Sequence, residues 1–189
     1  MHPKLKFPPV IFLVAFSLRI SSASQIKLGE VLPEVNLTKF GKLNLEGEQI
    51  SYVPWNSREL RGKIFTIYHL AWTRLAASLN DTFIDRLLRE KFDLLPGNLH
   101  QTFNIINLDD AMFGTSSIVQ RTVEDRKRKY VVPGFVLDKE GAIRNVWGLA
   151  PESSAVIILN RAGKVVFFKD GQLNQVEVNQ AIQLIKQNL

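Results

Sequence analysis

The stretch Ile64-Phe65-Thr66-Ile67-Tyr68-His69-Leu70 decides how the rest of the chain is read. It is a continuous apolar and β-branched run, the pattern of a strand covered on both faces of a parallel sheet. A helix is expected after it, from about Leu75 to Lys91. Leu79, Phe83 and Leu87, with Ile84 and Leu88 beside them, make one stripe at helical spacing. Pro96-Gly97 stops that helix. Phe103-Asn104-Ile105-Ile106-Asn107 reads as the second core strand and ends in Asp109-Asp110. A second helix follows from about Ser116 to Lys129, with Ile118, Val119, Thr122 and Val123 turned inward.

Toward the N-terminus, Leu43-Asn44-Leu45-Glu46 and Ile50-Ser51-Tyr52-Val53 alternate around Gly47 and read as a hairpin. Asn56 to Leu60 is a short helical turn that Ser57 is expected to cap. Toward the C-terminus, two more hairpins are expected. Phe135-Val136-Leu137 and Ala142-Ile143-Arg144 flank the turn Asp138-Lys139-Glu140-Gly141. Ala155 to Leu159 and Lys164 to Phe168 flank Asn160-Arg161-Ala162-Gly163. Asn174, with Glu177 three residues on, has the spacing of a capping box for a last helix, whose buried stripe is Val178, Ile182, Ile185 and Leu189. This order gives an α/β domain with a mixed central sheet, helices on both faces and an N-terminal extension carrying a β-hairpin.

Composition bounds the chemistry. The chain has 189 residues, 46% of them apolar, and no cysteine. The length suits one domain with a single buried core, and no repeat, low-complexity tract or second-domain linker is visible. Without cysteine there are no disulfides, zinc–thiolate sites, iron–sulfur clusters or thiol nucleophiles.

The first 24 residues read as a cleaved secretory leader. Lys4 and Lys6 precede an apolar stretch from Phe7 to Leu18, and the small residues Ser21-Ser22-Ala23-Ser24 follow. Cleavage fits after Ala23 or after Ser24. The apolar stretch is short of the ~20 residues a spanning helix needs, so no transmembrane anchor is expected in the mature chain of residues 25–189. The leader holds three basic residues and no acid, so its removal lowers the net charge from +6 to +3. That is an ordinary surface, and a nucleic-acid partner is not expected.

Several segments resemble the peroxiredoxin and TlpA side of the thioredoxin-like superfamily. Leu28-Gly29 with Pro33 looks like its entry motif, Glu59-Leu60-Arg61-Gly62-Lys63 like its lead-in to the first core strand, and Ser153 to Leu159 like its cis-proline segment. A closer likeness is to its cysteine-free branch, the YtfJ family of bacterial periplasmic proteins. Trp55-Asn56-Ser57, His69-Leu70-Ala71, Asn107-Leu108-Asp109-Asp110-Ala111, Phe135-Val136-Leu137-Asp138, Glu152-Ser153-Ser154-Ala155-Val156 and Lys169-Asp170-Gly171 carry it. The resemblance implies a thioredoxin-like fold and a periplasmic address, and no established activity. Redox relatives carry W-C-x-x-C after the first core strand; here that place reads Trp72-Thr73-Arg74-Leu75-Ala76. Thr73 and Ala76 stand where the thiols would be, so thiol–disulfide exchange and peroxidase chemistry are excluded. Ser154 takes the cis-proline position and is expected to be trans.

In such a fold, loops converge beyond one edge of the sheet. They would gather His69, Trp72, Thr73, Arg74, Asp109, Asp110, Ser153 and Ser154 into a polar pocket for a small molecule or a protein of the periplasm. Two alternatives stand beside this binding module. One is a hydrolase with Ser154 as nucleophile, His69 as base and Asp109 as orienting acid. The other is a scaffold of the cell envelope. No G-x-S-x-G elbow supports the hydrolase. His69 with Asp109 and Asp110 could serve a metal, but adjacent acids in a turn more often cap or are solvated, and neither a metal nor a cofactor is expected. The basic run Arg126-Lys127-Arg128-Lys129 suits a helix C-terminus with Glu124 and Asp125 as partners. Asn36 and Asn80 begin N-x-[ST] sequons that matter only in a eukaryotic secreted protein.

Overall fold

The computed structural model describes residues 24–109, 116–129 and 134–189. Apart from Ser24, the expected leader lies outside these residues, as does Asp110. The strands are β1 (Asn36–Glu46), β2 (Gln49–Asn56), β3 (Ile64–Ala71), β4 (His100–Asn107), β5 (Gly134–Asp138), β6 (Ser154–Leu159) and β7 (Val165–Asp170). The helices are α1 (Arg74–Ser78), α2 (Asp81–Glu90), α3 (Ser116–Lys129), α4 (Ala142–Trp147) and α5 (Gln175–Asn188). The strands form one mixed sheet in the order β2-β1-β5-β4-β3-β6-β7, in which β3 pairs parallel with β4 and antiparallel with β6.

Strand parity divides the core. Ile64, Tyr68 and Leu70 of β3 face α1, α2, α3 and α5 and pack with Phe83, Leu87, Val119, Val123, Ile182 and Ile185. Phe65 and Ile67 face the other way, onto Ile143 and Trp147 of α4, with Trp55 and the segment from Ile26 to Leu37 closing that side. Every residue of β3 is buried, as its unbroken apolar run requires. Full burial of a side chain such as Ile67 contributes about 1.5–3 kcal/mol relative to exposure.

The first hairpin, the β6–β7 hairpin and the last helix form as the residue pattern predicts. Asn174 and Glu177 close a reciprocal capping box on α5, and Val178, Ile182 and Ile185 are buried beneath it. Leu189 is only partly buried against the same core.

Four local expectations are corrected. Ala142-Ile143-Arg144 is not a hairpin strand but the start of α4. The Asp138 carboxylate accepts from the Ala142 and Ile143 N–H groups at 3.0 and 2.7 Å, which satisfies the helix start, and β5 pairs with β4 and β1 instead. The single helix expected from Leu75 to Lys91 is two helices, broken at Leu79-Asn80 by the tertiary bonds of the Asn80 side chain. It ends at Lys91, whose left-handed backbone caps α2 before Pro96-Gly97 is reached. Its stripe is narrower than expected, since Leu88 is exposed, and so is Ile118 on α3. Finally, Asn56 rather than Ser57 caps the short 3₁₀ turn at Ser57–Glu59. The buried Ser57 hydroxyl instead accepts from the Val35 N–H at 2.9 Å and holds the N-terminal segment to the sheet.

Candidate functional site

The β3–β6 register sorts the expected site residues onto two faces. His69 pairs with Ala155, and Leu70 pairs with Ser154. Side chains alternate along a strand. Ser154 therefore shares the face of Leu70 and Tyr68, while His69 shares that of Phe65 and Ile67. The sheet separates the Ser154 hydroxyl from the His69 ring, although they stand one register position apart.

Each is engaged on its own side. The fully buried Ser154 hydroxyl accepts from the Asn80 amide at 2.8 Å. The same amide donates to the Gly171 carbonyl at 3.1 Å, and its oxygen accepts from the Leu173 N–H at 2.9 Å. Asn80 is 2% exposed, so the second sequon is closed to modification in the folded chain, whereas Asn36 is exposed. The peptide bond at Ser154 is trans. The Ser153 hydroxyl donates to Asp170 at 2.7 Å, and the other Asp170 oxygen accepts from the Ala150 N–H.

On the opposite face, the buried His69 ring lies 6.5 Å from that of Trp147, and its Nε2 has no hydrogen-bond partner. Burial first, and the Arg144 charge second, push its pKa down to about 3, so the ring is neutral. Arg144 pairs with Asp109 at 2.6 Å. Asp109 is thus held by a guanidinium and does not orient the His69 ring. Serine, histidine and aspartate do not assemble into a proton relay here. Among the described residues, no group of three or more histidine and acidic side chains is placed to hold a metal.

The turn that follows β3 keeps the shape of a helix start. Thr73 caps α1, its hydroxyl accepting from the Ala76 N–H at 3.1 Å, so the two positions where thiols would stand are tied by this bond. Of Arg74 only the backbone, at the start of α1, is described. Trp72 is half-buried against the α1/α2 face, and the Arg126 guanidinium lies over its ring at 6.0 Å.

Beside Trp72 opens a cleft of about 320 Å³. Trp72, Ile84 and Phe135 give it apolar walls, Tyr68 lines it from the sheet, and Asp81 and Arg126 supply opposite charges. Tyr68 is 7% exposed, and its hydroxyl makes no hydrogen bond. Burial raises the pKa of this phenol and the Asp81 carboxylate adds to the effect; the Ser154 hydroxyl is near enough to ease the shift without completing a bond. Of the expected site residues whose side chains are described, Trp72 alone lines this cleft. Tyr68 could have been found from parity with Leu70. Asp81 and Arg126 carried no separate mark, one lying inside a sequon and the other inside a basic helix end.

A second polar chain was also missed. His100 Nε2 lies 2.8 Å from the Thr66 hydroxyl and Nδ1 lies 2.6 Å from Asp93, which also accepts from the Thr102 N–H. The order is that of nucleophile, base and orienting acid. Thr66 is fully buried, however, so no substrate reaches its hydroxyl. The chain of bonds fastens the segment after α2 to β3 and β4. In the basic run, Arg128 pairs with Glu124 at 3.8 Å, as the four-residue spacing predicts, while Asp125, four residues before Lys129, pairs with Arg128 at 2.9 Å, and Lys127 is buried.

Comparison with known proteins agrees with this geometry. The chain is 17% identical to a protein described as a disulfide isomerase from Bacteroides thetaiotaomicron, with a TM-score of 0.56 over 88% of this chain and 92% of that one. It is 12% identical to the thioredoxin domain of a thiol-disulfide oxidoreductase from Bacteroides vulgatus, with a TM-score of 0.52 over 84% and 97%. These likenesses show a thioredoxin-like fold. The uncharacterized protein YtfJ of Escherichia coli K12 is 36% identical over 170 residues, which cover 90% of this chain and 91% of the relative. An uncharacterized protein of Haemophilus influenzae is 34% identical over 163 residues, 86% and 87% of the two chains. The family profile described as a bacterial protein of unknown function, YtfJ_HI0045, matches residues 26–188. The chain therefore belongs to the YtfJ family, and carries no cysteine on its thioredoxin-like fold.

Proposed function

We propose that this is an exported, periplasmic binding module in which the edge once used for thiol chemistry holds a small molecule or a segment of a partner. The observation that carries the reading is the cleft beside Trp72, which has apolar walls, a buried unpartnered hydroxyl and two charged groups. Concave sites with apolar linings and few polar groups are the usual form of a ligand site. The absence of cysteine removes the parent chemistry. The separation of Ser154 from His69 gives the hydrolase alternative no support.

Export is supported by the leader pattern in residues 1–24. Ser24 and Gln25, which flank one of the two expected cleavage points, both bond the Trp147 carbonyl. Native mass spectrometry of untagged protein recovered from the periplasm tests both parts. A mass starting at Ser24 or Gln25 is expected, and an intact leader overturns export. A retained extra mass, or a raised melting temperature with members of a metabolite and peptide panel, is expected for binding and should be lost in Ile84→Arg. A bare chain that no panel member stabilises overturns the binding reading.

A further inference from the structure

We propose that the cleft beside Trp72 takes a small zwitterion with an apolar body, of which an α-amino acid with an aromatic or branched side chain is the simplest case. This rests on the binding reading above and names the ligand class for the same site.

Size is the first argument. About 320 Å³ lies at the low end of the roughly 300–1,000 Å³ range of ligand pockets, which suits a molecule of one ring or one branched chain. Charge is the second. Asp81 and Arg126 line the same cleft, and among the described residues neither makes an ion pair. Elsewhere on the fold, Lys169 pairs with Glu177 and Lys186 with Glu90. One free acid and one free guanidinium around an apolar hollow complement a ligand carrying both signs. A ligand with a single charge leaves one of the two facing it unmatched.

Each group is placed for its half. A guanidinium stacked over an aromatic face keeps its planar fork of N–H donors for a carboxylate. Arg126 is not stacked so closely: its guanidinium carbon lies 6.0 Å from the Trp72 ring centroid, at the outer limit of a cation–π contact, which leaves its N–H donors for a ligand. Asp81 and Tyr68 line the same cleft, and the carboxylate adds to the upward shift of the phenol. An ammonium group there would have Asp81 as counter-ion and the phenol oxygen as acceptor, giving Tyr68 the bond it lacks. Trp72, Ile84 and Phe135 then cover the apolar side chain.

The test is calorimetric titration of the mature protein with L-phenylalanine and L-leucine, against phenylacetate, phenethylamine, N-acetyl-phenylalanine and phenylalanyl-glycine. The free amino acids are expected to bind, and loss of either charge should weaken binding tenfold or more. Asp81→Asn should remove the preference for the ammonium group, and Arg126→Gln that for the carboxylate, both with unchanged melting. Tight binding of phenylalanyl-glycine would assign the zwitterion to a peptide source, since its ammonium is kept and its carboxylate displaced. Equal binding of phenylacetate and phenylalanine overturns the proposal while leaving a binding module in place. If no amino acid binds but another compound does, and Ile84→Arg abolishes it, the zwitterion fails alone. If nothing binds, both readings fail.

Discussion

Acidification should destabilise this protein through His69. Its ring is wholly buried, and its pKa stands near 3 in the folded chain against 6.5 when unperturbed. Between those values the unfolded chain binds a proton that the folded chain refuses, so stability is lost as pH falls from about 6.5 toward 3. A displacement of that size corresponds to roughly 5 kcal/mol when complete, and to about 3 kcal/mol by pH 4. That is a large part of the ~5–15 kcal/mol by which a domain is stable. The perturbation is His69→Leu. It should leave stability at pH 7 within about 1 kcal/mol, because Nε2 has no partner and the ring's hydrogen bond runs only to its own backbone. Urea unfolding followed by tryptophan fluorescence at pH 7, 6, 5 and 4 reads both proteins. The other titrating groups are common to both and cancel in the difference. The variant should lose about 3 kcal/mol less than the parent between pH 7 and 4. Equal losses in the two would refute the argument, because His69 would then titrate as a solvated ring.

Two further substitutions test how the site is held. Asn80→Ala removes three bonds and strands the Ser154 hydroxyl, the Gly171 carbonyl and the Leu173 N–H. A loss of about 2–4 kcal/mol is expected by denaturant titration, and a loss under ~0.5 kcal/mol would show that water replaces the amide. Gly134→Ala drives a methyl group into the Phe103 ring, and melting should report about 1–3 kcal/mol of overpacking; an unchanged melting temperature would show that the ring swings aside.

The fold was legible wherever a local pattern and a tertiary demand coincide. Ile64 to Leu70 is apolar because both sheet faces are covered, and Asn174 with Glu177 caps a helix through contacts three residues apart. The failures are places where a distant partner decides. Ala142 to Arg144 is short and apolar enough for either a strand or a helix, and the Asp138 carboxylate selects the helix. Asn80 breaks a helix whose apolar stripe runs straight through it, because its bonds go to β6 and the loop after β7. The site failed for a related reason. His69 and Ser154 do reach the same strand ends, but only the β3–β6 register reveals that they point to opposite faces. A shift of one residue would have put them together. Tyr68, Asp81 and Arg126 meet only because three elements are folded over one hollow.

Asn80 also sets a schedule. Its partners lie 74, 91 and 93 residues further along the chain. Closing loops of that length is entropically costly and slow. The start of α2 therefore cannot reach its final place until the last strands have arrived. In a chain delivered N-terminus first, this amide stays in water until the segment up to Leu173 is present. A φ-value near zero is the kinetic signature expected at this position, with Asn80→Ala speeding unfolding and leaving the folding rate almost untouched. The bonds that hold the start of α2 against β6 would then be among the last made and the first released.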